Sequence, residues 1–175
     1  MAFSKPARNI GHLVLLPGEH VADFGAGSGF HSIAAAEFVG PGGVIYAIDI
    51  QQGLLRRIAT LARESGHTIR VVHGDLEKRG GSMLPDTSVS AVIAANILFQ
   101  IEKKERFVEE IARVLRRGGK TLVIDWKDSY NNIGPHLESV VREEAARSLF
   151  EKAGFVFEKE VPNVGEHHYG FIVRA

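Results

Sequence analysis

Residues 21–29 read Val21-Ala-Asp-Phe-Gly25-Ala-Gly27-Ser-Gly29, a short apolar run that leads into a glycine-rich turn. The Ala-rich segment from Phe30 to Val39 follows directly and has the composition of a helix. This order predicts a strand, a tight turn and a helix. A strand that feeds a helix in this way is the first half of a βαβ unit.

The remainder of the chain continues this alternation. Apolar runs bounded by turn signals predict further strands at Gly43–Ile48, Ile69–His73, Val89–Ala94, Thr121–Asp125, Phe155–Val161 and His168–Val173. Apolar residues at helical spacing predict further helices, whose inward faces run from Leu54 to Ala62, from Phe107 to Leu115 and from Leu137 to Leu149. The basic, glycine-rich residues 116–119 are expected to end the second of these helices.

The connections between these elements predict the architecture. Helices join the first five strands, which is typical of parallel pairing, whereas the last two strands are close enough in sequence for an antiparallel hairpin. We therefore expect a three-layer α/β sandwich. No repeat or linker divides the sequence, so residues 1–175 are expected to form a single domain. The residues before the first strand and the loop at 127–136 would need to close over any site on the sheet.

Composition excludes several classes of chemistry. The chain has 175 residues, 45% of them hydrophobic, and no cysteine, which removes disulfides, thiolate nucleophiles and Cys-based metal sites. Its 21 Lys and Arg balance 21 Asp and Glu, which argues against binding nucleic acid by bulk charge, although a local basic patch is compatible with it. No apolar run approaches the roughly 20 residues of a membrane span. We therefore expect a soluble, cytoplasmic protein.

The glycine turn has the spacing G-x-G-x-G, because Phe30 occupies the sixth position of the dinucleotide pattern G-x-G-x-x-G. A pyrophosphate needs a seat at the helix N-terminus, whereas a ligand without phosphate needs only a backbone platform. Asp49 ends the second strand, where a carboxylate can accept hydrogen bonds from both ribose hydroxyls. Asp75 and Asn96 follow the next two strands. Each of these is by itself also typical of a loop or a helix cap, but their shared position favours a binding site.

On these motifs the chain resembles class I S-adenosylmethionine-dependent methyltransferases, from about Leu16 to the C-terminus. The matching stretches are Asp23–Gly29, Tyr46–Asp49, Gly74–Leu76, Ala95–Leu98 and Arg113–Lys120. The resemblance implies a Rossmann-like seven-stranded sheet of order 3-2-1-4-5-7-6 with strand 7 antiparallel. Asp125-Trp126-Lys127, followed by Gly134-Pro135, is most similar to the quinone-biosynthesis and small-molecule branch.

The resemblance also implies how S-adenosylmethionine binds. Asp23 would meet the methionine end, Asp49 the ribose, Ile50 the adenine face and Asp75 the adenine edge, while the backbone carbonyl of Asn96 would accept from the adenine amino group. The residues implied to bind the cofactor are Asp23, Gly25, Ala26, Gly27, Ser28, Gly29, Asp49, Ile50, Gly74, Asp75, Leu76 and Asn96.

The implied reaction is an in-line displacement in which an acceptor attacks the sulfonium methyl, so no protein nucleophile is needed. A general base is needed only if the acceptor must lose a proton. His31, in the first helical turn after the glycines, either faces the site or supports the turn. Trp126 and His136 could line the acceptor side. The segment His167–Tyr169 begins the last strand and could reach the same mouth, but a surface position on an edge strand is favoured. Because adjacent strand residues point to opposite faces, His167 and His168 are not expected to bind a metal together.

Two features that the sequence lacks narrow the class of methyl acceptor. Arsenite methyltransferases use cysteine thiols to hold arsenic, and the chain has none. Residues 96–99 read Asn-Ile-Leu-Phe, where many DNA, rRNA and protein N-methyltransferases have Asn/Asp-Pro-Pro-Tyr/Phe. Three hypotheses stay open: a small-molecule methyltransferase, a protein or RNA methyltransferase with an open site, and a cofactor-binding module without catalysis. A homodimer that covers an open site is a further possibility.

Overall fold

The computed structural model describes residues 5–129 and 134–175. Its strands are β1 His20–Phe24, β2 Val44–Asp49, β3 Ile69–His73, β4 Val89–Ala95, β5 Leu115–Trp126, β6 Val156–Glu160 and β7 His168–Arg174. Its α-helices are α1 Pro6–Gly11, α2 Phe30–Val39, α3 Gln52–Ser65, α4 Lys104–Val114 and α5 Glu143–Lys152. Single 3₁₀ turns lie at Leu98–Gln100 and Leu137–Ser139.

The strands form one sheet in the order β3-β2-β1-β4-β5-β7-β6. Strands β1 to β5 pair in parallel, whereas β7 is antiparallel to both β5 and β6. The strand order and the antiparallel seventh strand are thus confirmed. The chain runs outward from β1 to β3 and then returns to β4 on the other side of β1. This reversal opens a crevice at the carboxyl ends of β1 and β4.

Two layers of helices bury the two faces of the sheet. Helices α1 and α2 cover one face together with residues such as Val21, Ile45 and Leu122, and α3 continues that layer over Ala47. Helices α4 and α5 cover the other face, where four phenylalanines are fully buried: Phe24, Phe107, Phe150 and Phe171. Burying each such ring stabilises the fold by about 1.5–3 kcal/mol. The site is therefore built on a rigid base.

Two sequence predictions about local structure are wrong. Residues 116–119 do not end a helix, because α4 ends at Val114 and β5 begins at Leu115. Gly118 donates its backbone N–H to Ala175 O at 2.9 Å, so the end of the chain pairs with this segment and extends the strand. The helix predicted from Leu137 begins only at Glu143, and Ala146 and Phe150 form its buried face. The segment before β1, for which no element was predicted, contains the short helix α1.

Both segments expected to close over a site lie partly outside the described residues, at 1–4 and 130–133. In the part of the chain that is described, none of the helices is long and apolar enough to span a membrane.

Candidate functional site

A cavity of about 840 Å³ lies at the carboxyl ends of β1, β2, β3 and β4. The loops that follow these strands line it, together with the end of β5 and the beginning of β7. Both its position and its size are typical of small-molecule sites in α/β proteins. Among residues 5–129 and 134–175, no group of three or more His, Asp or Glu is arranged to hold a metal ion.

The glycine turn forms one wall of this cavity, and its conformation requires glycine. Gly25, Gly27 and Gly29 have φ values of +76°, +53° and +80°, in the region that other L-residues rarely adopt. A Cβ on Gly25 would lie 2.6 Å from the Cδ1 of Ile97. The backbone N–H groups of Gly25 and Ala26 donate to Ile48 O at 2.9 and 3.0 Å, which ties the turn to β2.

Asp49 is held by backbone donors on two sides. Gly27 N–H donates to its Oδ2 at 2.9 Å, and Gln51 N–H donates to its Oδ1 at 2.8 Å. The side chain is buried and lines the cavity. Each carboxylate oxygen keeps a second lone pair, so Asp49 can still accept hydrogen bonds from a ligand.

Asp23, near the end of β1, is the second buried carboxylate in the cavity. The hydroxyl of Ser32 donates to its Oδ2 at 2.6 Å. Burial raises the pKa of Asp23 to about 6, and the nearby charge of Asp49 acts in the same direction. A cationic group bound beside it would favour the ionised form.

The loop after β3 closes the cavity on the side of β2. Asp75 accepts from the Glu77 N–H at 3.1 Å and from Lys78 at 2.9 Å, which holds the pKa of Asp75 below its usual value. Gly74 is required by space, because a Cβ there would overlap the carbonyl oxygen of Gly81. Leu76, also on this loop, and Ile50, which is 61% exposed, add apolar surface to the lining.

The loop after β4 is shaped by Asp125 from the neighbouring strand. This fully buried carboxylate accepts from the N–H groups of Ile97 and Leu98 at 3.1 and 2.7 Å, and burial raises its pKa to about 6. Asn96 lines the cavity with a φ of +57°, and its Oδ1 is buried without a hydrogen-bond partner among the described residues. Its carbonyl oxygen accepts from Gln100 Nε2 at 3.1 Å.

The three residues predicted for the acceptor side have different positions. His31 and Trp126 line the cavity, whereas His136 is exposed and does not. Burial lowers the pKa of His31 to about 4, and its Nε2 is buried with no hydrogen-bond partner in the described parts of the chain. Ser28 of the glycine turn also lines the cavity, but Gly29 lies behind it against Ile58.

For His168, the sequence favoured the wrong one of two positions. The expectation of an edge position is wrong, because β7 lies between β5 and β6. His168 instead lines the cavity, with its ring centroid 4.2 Å from that of Trp126. The implied strand order placed β7 inside the sheet and was the signal that could have located it. Further lining residues not indicated by the sequence are Pro6, Phe30, Gln51, Leu54, Glu77, Ala95, Ile97, Gln100 and Ile101.

Comparison with known proteins agrees with this arrangement. Residues 22–123 match the family model described as "Methyltransferase domain", so the chain belongs to this family and, by its fold, to the class I S-adenosylmethionine-dependent methyltransferases.

Two curated relatives carry more specific names. An arsenite methyltransferase from Halobacterium salinarum is 30% identical over 112 residues, which are 63% of this chain and 28% of that protein. The ubiquinone/menaquinone biosynthesis C-methyltransferase UbiE of Bordetella parapertussis is 30% identical over 129 residues, which are 74% of this chain and 49% of that protein. The chain thus spans half or less of the length of these two relatives.

Two solved structures illustrate the structural likeness. A SAM-dependent methyltransferase from Aquifex aeolicus has a TM-score of 0.87 at 26% identity, covering 98% of this chain and 90% of that one. The [4+2]-cyclase SpnF has a TM-score of 0.79 at 18% identity, covering 96% and 78%. The second likeness concerns the fold alone, and it shows that this fold also occurs in a protein named for a different reaction.

Proposed function

We propose that this chain binds S-adenosylmethionine in the 840 Å³ cavity and transfers its methyl group to a small-molecule acceptor. One observation carries the proposal: Asp23 and Asp49 are both buried in the same cavity, and neither forms an ion pair among the described residues. Buried carboxylates without a cation are costly. A ligand that brings an ammonium group, a sulfonium and ribose hydroxyls would satisfy both.

The residues present fit this cofactor from end to end. Asp23 would pair with the ammonium group, and Asp49 would accept from the ribose hydroxyls. Ile50 would pack on the adenine face, and Asp75 with Leu76 would meet the adenine edge. The glycine turn lines the cavity with backbone, and Gly25 has no room for a Cβ, which would lie 2.6 Å from the Cδ1 of Ile97. These assignments account for the polar lining near β1, β2 and β3.

Methyl transfer from the bound cofactor then requires mainly that the acceptor be aligned with the methyl group. The bound cofactor supplies a methyl group that is already activated, so no side chain has to act as a nucleophile. The protein holds the acceptor in line with that methyl group and excludes water, and such positioning can lower a barrier by up to about 7–11 kcal/mol. Trp126, His168 and His31 provide the remaining wall, on which the acceptor would lie.

Three observations support a small acceptor. The cavity is a pocket of limited volume that cofactor and acceptor would share, and the formal net charge of the chain is zero. The curated relative UbiE is named for quinone biosynthesis. Arsenic chemistry that needs thiols has no support in this chain, because it contains no cysteine.

Titration calorimetry with S-adenosylmethionine and S-adenosylhomocysteine tests the first half of the proposal, with NAD as a matched control ligand. We expect both adenosyl ligands to bind and NAD to bind far more weakly, because the G-x-G-x-G turn lacks the dinucleotide spacing. Binding of neither adenosyl ligand would overturn the proposal.

Transfer of a labelled methyl group to a cell extract, fractionated into small molecules, protein and RNA, tests the second half. Label in the small-molecule fraction is the expected result. Label only in protein or RNA would show a macromolecular acceptor instead, and cofactor binding with no label anywhere would favour a binding module without catalysis.

A further inference from the structure

We propose that His168 is the general base of the acceptor subsite, and that Trp126 is the surface against which it is held. This inference rests on the proposed methyl transfer and extends it by assigning the group that takes the acceptor's proton.

The position of the ring is the first argument. In the antiparallel pairing of β5 and β7, Trp126 lies directly opposite His168. Their ring centroids are 4.2 Å apart with an angle of 42° between the planes. Both side chains line the cavity that contains the glycine turn and Asp23. The imidazole therefore lies in the same cavity as the proposed cofactor site.

Two glycines leave room for the packed rings of Trp126 and His168, because a side chain at either glycine would overlap one of these rings. Gly165 has a φ of +147°, and a Cβ there would lie 2.7 Å from the Nδ1 of His168. Gly134 has a φ of +99°, and a Cβ there would lie 2.7 Å from the Cζ3 of Trp126. Both rings are thus enclosed by backbone that only glycine permits. Because Nδ1 lies against Gly165, Nε2 is the nitrogen left for a ligand.

The surroundings of His168 keep it available as a base. No carboxylate forms a hydrogen bond or ion pair with it in the part of the chain that is described; Asp128 pairs with His167 instead, at 2.7 Å. Burial lowers the pKa of His168, the charges of His167 and Lys127 lower it further, and Asp128 acts in the opposite direction. The ring is therefore neutral near pH 7 and can accept a proton.

His31 is less suited to this role. Its pKa of about 4 makes it a much weaker base, although its unpartnered Nε2 can still accept a hydrogen bond. A base works best when its pKa is close to the working pH, and the pKa of His31 is far below neutrality.

The step balances without another reactant. The O–H or N–H bond of the acceptor breaks, and its electron pair forms the bond to the methyl carbon. The C–S electron pair stays on sulfur, which becomes a neutral thioether. The proton passes to Nε2 of His168 and from there to solvent.

The chain contains one tryptophan, so its fluorescence reports on this pair alone. A protonated imidazole in contact with an indole quenches its emission. Between pH 5 and pH 8 we expect a titration of Trp126 emission with a midpoint below 6.5, absent in His168→Gln and retained in the neighbouring control His167→Gln. A titration that persists unchanged in His168→Gln would overturn the proposed contact.

Methyl transfer to the small-molecule fraction of a cell extract is then measured over the same pH range. We expect the wild-type rate to rise with pH, to reach half its maximum near the fluorescence midpoint and to level off above it. His168→Gln should lose about 10²- to 10⁴-fold in rate and lose this pH dependence, while S-adenosylmethionine affinity stays within about twofold. Near wild-type transfer with the same pH profile in His168→Gln would overturn this inference alone. Absence of transfer by the wild type would overturn the proposed function as well.

Discussion

The Oδ2 of Asp49 accepts a hydrogen bond from the backbone N–H of Gly27 at 2.9 Å, across 22 residues of sequence. The acid that ends β2 therefore fixes the shape of the turn that follows β1. The glycine turn and Asp49 therefore form one connected structure. A change in either one is expected to disturb the other, because the turn that would contact the cofactor is hydrogen-bonded to the carboxylate that would hold its ribose.

Replacement of Asp49 by Ala should weaken S-adenosylmethionine binding by about 10- to 100-fold, because a hydrogen bond to a charged group contributes about 1.5–3 kcal/mol. Glu64→Ala is the matched control, since Glu64 is an exposed acid at the far end of α3 and should leave affinity unchanged. Titration calorimetry measures both variants. Equal affinity in wild type and Asp49→Ala would remove Asp49 from the site.

Alanine substitutions at two glycines can distinguish the effect of backbone strain from the effect of a crowded side chain. Gly25 and Gly66 have similar φ values, +76° and +71°, so Ala at either position should cost about 1–2 kcal/mol of stability. Only at Gly25 would the new Cβ meet a neighbour, the side chain of Ile97 in the cavity wall, whereas nothing lies within 4 Å at Gly66.

We therefore expect Gly25→Ala to lose cofactor affinity and Gly66→Ala to keep it. Denaturant unfolding gives the stability of both variants, and calorimetry gives their affinity. Equal affinities would show that the turn tolerates a side chain on its cavity side.

Asp23→Asn should make the protein more stable near neutral pH and worse at binding. Because burial raises the pKa of Asp23 to about 6, the folded state holds this proton more tightly than the unfolded state does. The contribution of Asp23 to stability therefore falls as pH rises from about 4 to about 6. The variant should gain on the order of 2–3 kcal/mol over the wild type at pH 7.5 and little at pH 4.

Unfolding free energies at several pH values test this difference, and the cofactor affinity of the same variant should drop because the ammonium group loses its partner. A stability difference that stays constant from pH 4 to pH 8 would contradict the assignment.

Glu110 should be the most costly single carboxylate to remove outside the cavity. It is fully buried and accepts from the N–H of Gly80 at 2.8 Å, from the hydroxyl of Ser82 at 2.6 Å and from Arg113 at 2.7 Å. Glu110→Ala leaves the part-buried arginine without its main partner and should cost about 3–5 kcal/mol. The adjacent Glu109→Ala removes only an exposed pair with Arg106 and should cost at most about 0.5 kcal/mol.

The pH dependence gives a second test of Glu110. Burial acts to raise the pKa of Glu110, but its hydrogen bonds from Arg113, Ser82 and Gly80 outweigh burial and lower the pKa to about 2. The stabilisation from Glu110 is therefore complete above pH 4.5 and is lost as pH falls towards 2. The gap between wild type and Glu110→Ala in denaturant unfolding should therefore be constant above pH 5 and narrow below pH 4.5.

Elements defined by local pattern could be predicted well. The strand Ile69–His73 and the helix Phe30–Val39 have the predicted bounds, because apolar runs and flanking glycines act within a few residues. The start of β5 could not be predicted in this way, since it is held by pairing with β4 at Leu115 and by hydrogen bonds that join Gly118 and Gly119 to Ala175, which lies far away in the sequence. The beginning of α5 was predicted at Leu137 but lies at Glu143. This error also has a tertiary cause, because packing against the sheet decides which residues of α5 are buried.

The sequence by itself determined the fold and the candidate cofactor side of the cavity. Each of those residues follows its own strand, and parallel strands with helical crossovers bring their carboxyl ends to one edge. Only the tertiary structure decided the acceptor side. Trp126 and His168 lie on different strands and become neighbours through the antiparallel register of β5 and β7. That register depends on side chains buried along both strands, which no local pattern contains.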